Sequence, residues 1–205
     1  MTKAAVLFSF LFLSLYTSAQ QKYHAQIAAL LDTIHQEDQV ERAKIDSVQK
    51  QYGWQSEQMT ALWVKMMYKD SVNLVKVKSI IDEYGWLGPE EVGKQGAQTI
   101  FLVIQHADSL TQVTYFPVLQ EAVRKGKARA QDLAMLEDRI LTKQGKEQIY
   151  GSQVRVNDTT GKYEFFPIKD ESNVNSRRAS VGLGPIEEYA KHFNIEYVPP
   201  KIKTD

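Results

Sequence analysis

His106 is the residue of this chain best placed for acid–base chemistry. It follows the most apolar run of the sequence, Ile100-Phe101-Leu102-Val103-Ile104, with Gln105 before it and Asp108 two residues beyond. A helix C-terminus favours the imidazolium, and a nearby carboxylate does the same, so an imidazole here could serve as a general base or acid. His106 and Asp108 are therefore the candidate general acid–base pair. The competing reading is a histidine that caps free helix carbonyls. His-x-Asp alone falls short of the ligand count that a metal needs, and neither a metal nor a cofactor is expected.

Two further groups could hold a ligand. Asp38 and Arg42 are one helical turn apart and lie between Ile34 and Ile45 on an apolar stripe, so both point toward the core. Buried charges must satisfy each other or face a polar cavity. Asp70 falls on a second stripe, but with Ser71-Val72-Asn73 after it, it reads as the cap of a new helix. The other group is Asp138-Arg139 with Tyr150, Gln153, Arg177 and Arg178. Arginine forks, with Gln and Tyr on a strand, suit the carboxylate or phosphate of a small ligand. The plainer reading is that these arginines pin irregular backbone. Two adjacent arginines in an extended loop point to opposite sides, which would leave at most one of them inside.

Several chemistries are excluded. There is no cysteine, hence no thiolate nucleophile, thiolate metal site or disulfide. The sequence has no nucleophile elbow, phosphate-cradling glycine loop, His-Glu-x-x-His zinc motif or dinucleotide fingerprint. With 25 basic and 25 acidic residues the chain has no global field to recruit nucleic acid or an anionic membrane.

The elements that must position these residues begin after a leader. Lys3, an apolar run from Ala4 to Tyr16, and the small residues Thr17-Ser18-Ala19 read as a secretory signal peptide over residues 1–19. That run is too short to span a bilayer, and no later segment qualifies, so no stable membrane anchor is expected after cleavage. The mature chain is placed in the periplasm or outside the cell. One helical domain is expected over 20–198, followed by a charged, frayed tail over 199–205.

The first stripe, Ile27, Leu30, Leu31, Ile34, Asp38, Arg42, Ile45, Val48 and Tyr52, keeps one helical face for most of seven turns. A second stretch runs from Met59 to Tyr84. Each stops at Tyr-Gly-Trp, where Gly53 and Gly85 can take the left-handed conformation. An internal repeat aligns these stops, and with them Asp38 with Asp70, Val40 with Val72, Lys44 with Lys76 and Ser47 with Ser79. Both a local duplication and convergent helix-end chemistry fit. Helices are expected near 95–107, 112–124 and 130–142, a hairpin over 149–168 around Asn157-Asp158-Thr159-Thr160-Gly161, an irregular loop, and a short helix near 185–192.

An ordered series of these residues resembles a bacterial family known only as a domain of unknown function. It comprises Asp38-Gln39 with Arg42, Gly85-Trp86, Val92-Gly93, Gln105-His106-Ala107-Asp108, Leu133-Ala134 with Asp138-Arg139, Gln148 with Tyr150-Gly151-Ser152-Gln153, and Arg177-Arg178 with Val181-Gly182-Leu183. The resemblance covers about residues 38–190. Ser152 stands where the family pattern has threonine and keeps the hydroxyl. Leu87 stands where the pattern has proline. The family implies positions and no reaction.

The expectation is a mainly α, multi-helix domain with a C-terminal β-hairpin and a short terminal helix. Its function would be to bind a small polar or anionic ligand in a pocket around His106, with Asp38, Arg42, Gln105, Arg139, Tyr150, Gln153 and Arg177 as ligand-binding residues and room for catalysis. The alternative is an envelope module that binds a protein or glycan through Trp54, Trp86, Tyr163, Phe165 and Phe166. Exposed Trp54 and Trp86 would favour the module, whereas tryptophans packed on helix ends would favour the pocket. The sequence carries nothing on oligomeric state.

Overall fold

Residues 24–200 are described by a computed structural model, so the signal-peptide reading and the end of the tail lie outside the described residues. The fold is mainly helical, with an antiparallel two-stranded hairpin and a short C-terminal helix, as the periodicity predicts. The described residues group into two compact units that divide after Val103.

In the first unit, helix α1 (24–42) buries Ile27, Leu31, Ile34, Asp38 and Glu41. These positions alternate by four and three, so the apolar half of the face continues directly into a charged half. The long first stripe breaks here. The chain tightens at Ala43-Lys44, where Lys44 N–H bonds the Glu41 carbonyl at 3.1 Å, and α2 (Ile45–Tyr52) starts afresh. Leu30 and Tyr52, expected on the buried stripe, are exposed.

Gly53 closes α2 with φ of 84° and donates to the Gln49 carbonyl at 2.8 Å. Ser56 then opens α3 (Glu57–Tyr84), its hydroxyl accepting from Met59 N–H at 3.1 Å. Ser, with an extended backbone and a free oxygen, is among the best residues for this position. Met59, Leu62 and Met66 form a cluster against Ile45, Val48 and Trp54. Gly85 closes α3, and Trp86 and Leu87 are buried beyond it. Asp70 lies in the middle of α3, not at a cap, which corrects the sequence reading. Its side chain is engaged by Arg42 of α1, so it has no need of its local backbone.

Helix α4 (Pro89–His106) starts with Gly88 N–H bonded to Glu91 Oε2 at 2.7 Å and is interrupted at Gly93, φ 74°. It packs closely on α1 at Gly96, where a Cβ would come within 3.3 Å of Leu31. Gln95 to Asp32 at 2.9 Å and Thr99 to His35 at 3.4 Å continue that contact.

In the second unit, α5 (Ser109–Arg124) and α6 (Ala130–Lys143) form a helical hairpin around the Lys125-Gly126-Lys127 turn. Strands β1 (Val154–Val156) and β2 (Tyr163–Phe165) pair with Arg155 opposite Glu164. The hairpin is shorter than expected: Gln148 makes an isolated bridge to Ile168, and residues 149–152 between it and β1 are held as a loop by side chains. Residues read as irregular, rich in Asp, Asn, Ser and Arg, form a 3-10 turn (Glu171–Asn173) and α7 (Val174–Ser180). Helix α8 (Ile186–Lys191) brings Ile186 onto Ile168 and Val174, with Phe165 and Tyr197 alongside.

Candidate functional site

His106 ends α4, and in the second unit the end of that helix meets the start of α5 and the end of α6. Two carbonyls at this end are met by other side chains. Gln112, fully buried, donates its Nε2 to the Gln105 carbonyl at 2.8 Å, and Lys143 Nζ reaches the Ala107 carbonyl at 3.4 Å. Lys143 also donates to Gln112 Oε1 at 3.0 Å. The carbonyl-capping role that the position of His106 suggests is thus filled by Gln112 and Lys143.

Asp108 caps α5. One carboxylate oxygen accepts from Thr111 N–H at 2.9 Å and the other from the Thr111 hydroxyl at 2.8 Å. These bonds hold its pKa below the usual carboxylate value. The charge is positive on the α6 side. Burial first, then the neighbouring Arg139 guanidinium, pushes the Lys143 ammonium below its ordinary value, and Asp108 only partly opposes this. Both oxygens that Lys143 bonds, the Ala107 carbonyl and Gln112 Oε1, are neutral. Gln105 is buried, and its side-chain oxygen has no hydrogen-bond partner among the described residues. Exposed Lys143 and the neighbouring Arg139 therefore put positive charge at the end of α6, where Lys143 bonds the same Gln112 that caps the Gln105 carbonyl.

The remaining motif residues build a loop. Asp138, fully buried on α6, accepts from the N–H groups of Ile149 at 2.6 Å, Tyr150 at 3.0 Å and Ser152 at 2.9 Å. Gln148 spans the loop, accepting from Gln153 N–H at 2.8 Å and donating to the Gln153 and Phe166 carbonyls at 2.9 and 3.0 Å. Arg177 donates to the Ile149 and Lys169 carbonyls, and Arg178 to those of Tyr150 and Gly184. Because α7 is a helix and not an extended loop, both adjacent arginines turn onto this loop, against the expectation that at most one would. The Arg178 guanidinium also lies 5.2 Å from the Tyr189 ring centre, and Tyr189 donates its hydroxyl to the Ser152 carbonyl at 2.9 Å. Gln153 donates to Ser152 Oγ at 3.0 Å. At Gly151, φ 65°, a side chain would meet Ile186 at 2.4 Å. Tyr150 is half-buried, and burial pushes its phenol upward.

In the first unit Asp38 and Arg42 meet as expected, joined by Asp70. Arg42 Nη1 donates to the Asp38 carbonyl at 2.8 Å, to Asp38 Oδ1 at 3.1 Å and to Asp70 Oδ1 at 3.0 Å, while Nη2 donates to Asp70 Oδ2 at 2.8 Å. The two aspartates that the internal repeat aligns therefore share one guanidinium. Glu41, one turn along from Asp38, is held down to about 2 by Lys44 and Lys65. Asn73, one turn from Asp70, is fully buried with neither amide atom bonded among the described residues.

Sequence reasoning missed Lys143, Gln112 and Asn73, and it met Gln148 only within the family pattern. A lysine in the last turn of a helix is too common to stand out, and a buried glutamine or asparagine has no local signature. Trp86 is buried, and Trp54 packs on the Met59 cluster. Phe165 lies 5.1 Å from Tyr197 and Tyr163 5.3 Å from Phe193, ring centre to ring centre.

No curated protein and no solved structure matches the chain. The ordered motifs, from Asp38-Gln39 to Arg177-Arg178, lie within residues 25–201, which match the model of a family of unknown function, DUF6624, and the chain belongs to that family.

Proposed function

We propose that the chain is an exported binding protein for a small anionic ligand, held in the second unit at the corner where α4, α5 and α6 meet. Lys143 and Arg139 supply the charge, Gln105 a buried oxygen that accepts from a protonated oxygen of the ligand, and His106 a group that gives or takes a proton from the ligand. The observation that carries this reading is the positive charge of Lys143 and Arg139 beside the end of α4, whose Gln105 carbonyl Gln112 caps. Trp54 and Trp86 pack inward, which favours a pocket over an aromatic interaction surface.

Calorimetric titration with inorganic phosphate and with succinate tests the site. Wild type should bind one of them. Lys143→Met should weaken binding about 10- to 100-fold, the worth of a hydrogen bond to a charged group. His106→Gln, which keeps a donor and roughly the size, should stay within a few degrees of the wild-type melting temperature and lose affinity. A large loss of stability in His106→Gln with binding intact would return His106 to the scaffold. Failure of wild type to bind either anion at millimolar concentration would end the anionic reading.

Export rests on the n-region, apolar run and small residues of positions 1–19. Mass analysis of the protein from its native host should find an N-terminus at or near Gln20, and intact Met1 would overturn the proposal.

A further inference from the structure

Helix α3 has two apolar faces. One buries Met59, Leu62, Met66, Val77, Ile80 and Ile81. The opposite one carries Val64, Met67, Tyr68 and Val75, each 62 to 70% exposed, with Val72 at 37%. At 3.6 residues per turn, positions 64, 67, 68, 71, 72 and 75 make one continuous stripe about 18 Å long, in which only Ser71 is polar. A helix apolar all round is normally buried on all sides, and exposed apolar surface gathered in one stripe marks a contact site.

We propose that this face pairs with the same face of a second copy, the two α3 helices antiparallel about a two-fold axis between Met67 and Tyr68. The argument for a second copy is the charge at the two ends of the stripe. Glu57 stands two turns before Val64 and Lys78 one turn after Val75, on the same side of the helix, and neither is in an ion pair among the described residues. With the axis at this place, Lys78 of each copy lies opposite Glu57 of the other, so symmetry forms the pair twice. Val72 then lies opposite Trp63, which is 40% exposed, and Val75 opposite Thr60. Moving the axis by half a turn toward the C-terminus sets Glu57 against Asp82, a like-charge contact that selects against that register. A shallow depression lined by Val75, Lys78, Ser79, Asp82 and Glu83 lies at the lysine end, where the start of the other copy's α3 would rest.

Sedimentation equilibrium of the full chain tests the pairing. Wild type is expected to dimerise in the micromolar range. Met67→Glu should be monomeric with unchanged helical circular dichroism, because the position is exposed within a single copy. Lys78→Glu and Glu57→Lys should each weaken the dimer about tenfold, and the two together should return it to within about threefold of wild type, since the charges are exchanged and not removed. A wild-type chain that stays monomeric overturns the proposal, as does a dimer indifferent to Met67→Glu. A double charge exchange that fails to restore pairing also overturns it. A monomer that binds neutral phosphatidylcholine vesicles through this face would assign the stripe to lipid instead.

Discussion

Arg42→Ala will cost about 3–5 kcal/mol of stability, more than loss of either carboxylate that Arg42 binds. The guanidinium serves Asp38, which is 1% exposed, and holds Asp70 in a two-pronged bond. Removing it takes the shared guanidinium from two carboxylates, one of them, Asp38, in a place that water does not reach, where Gln39 still donates to it at 2.6 Å. Asp70→Ala leaves Arg42 with Asp38 and a fifth of the Asp70 site open to solvent, so it should cost less. Asp38→Ala should fall between them, because Arg42 retains Asp70. Urea denaturation of the three single variants and of the Arg42–Asp70 double variant will measure this order, with a coupling of about 1–3 kcal/mol. Additive costs, or an Arg42→Ala loss under about 1 kcal/mol, would mean that the three groups are hydrated and independent.

Asp138→Ala carries the second large effect. It removes the acceptor of three loop N–H groups at once, and an unsatisfied buried donor costs roughly 1–3 kcal/mol. A total of about 3–6 kcal/mol is expected even if one amide finds a new partner. Asp138→Asn keeps one oxygen but turns an NH2 group toward at least one of these amides, so its melting temperature should lie between that of wild type and that of the alanine variant. If Asp138→Ala melts within a few degrees of wild type, the loop is held by Gln148 and Arg178 and the carboxylate is dispensable.

What the sequence made legible follows from how local each cause is. Helix ends were readable because Gly53, Gly85 and the apolar periods act within one turn of themselves. Asp70 was misread for the same reason. An aspartate followed by Ser-Val-Asn is a good local cap, and only Arg42, 28 residues away, makes it better inside a helix. Asp108 was read toward His106, although Thr111 stood three residues on, where a capping aspartate finds its partner. The loop at 148–153 shows the limit most clearly. Tyr150, Gln153 and Arg177 read as polar groups for a ligand, and in the fold Arg177 donates to the Ile149 carbonyl and Gln153 to the Ser152 hydroxyl and the Met135 carbonyl. Nothing near them in the chain reveals that, since the partners come from α6, α7 and α8. In α7 the composition favoured a loop, but Arg177 and Arg178 each gain backbone carbonyls by standing on a helix, and tertiary gain outweighed propensity.

The same loop imposes an order on synthesis. Its amides are met by Asp138, which leaves the ribosome before them, whereas its carbonyls wait for Arg177, Arg178 and Tyr189, which leave after. A carbonyl can stay hydrated while it waits more easily than a buried N–H can. A nascent chain halted before Ile186 therefore has its loop drawn to α6 but not roofed, with Gly151 lacking the isoleucine that fits against it. Closure of this unit therefore waits for α8, so a chain cut short before Ile186 presents proteases with an open loop.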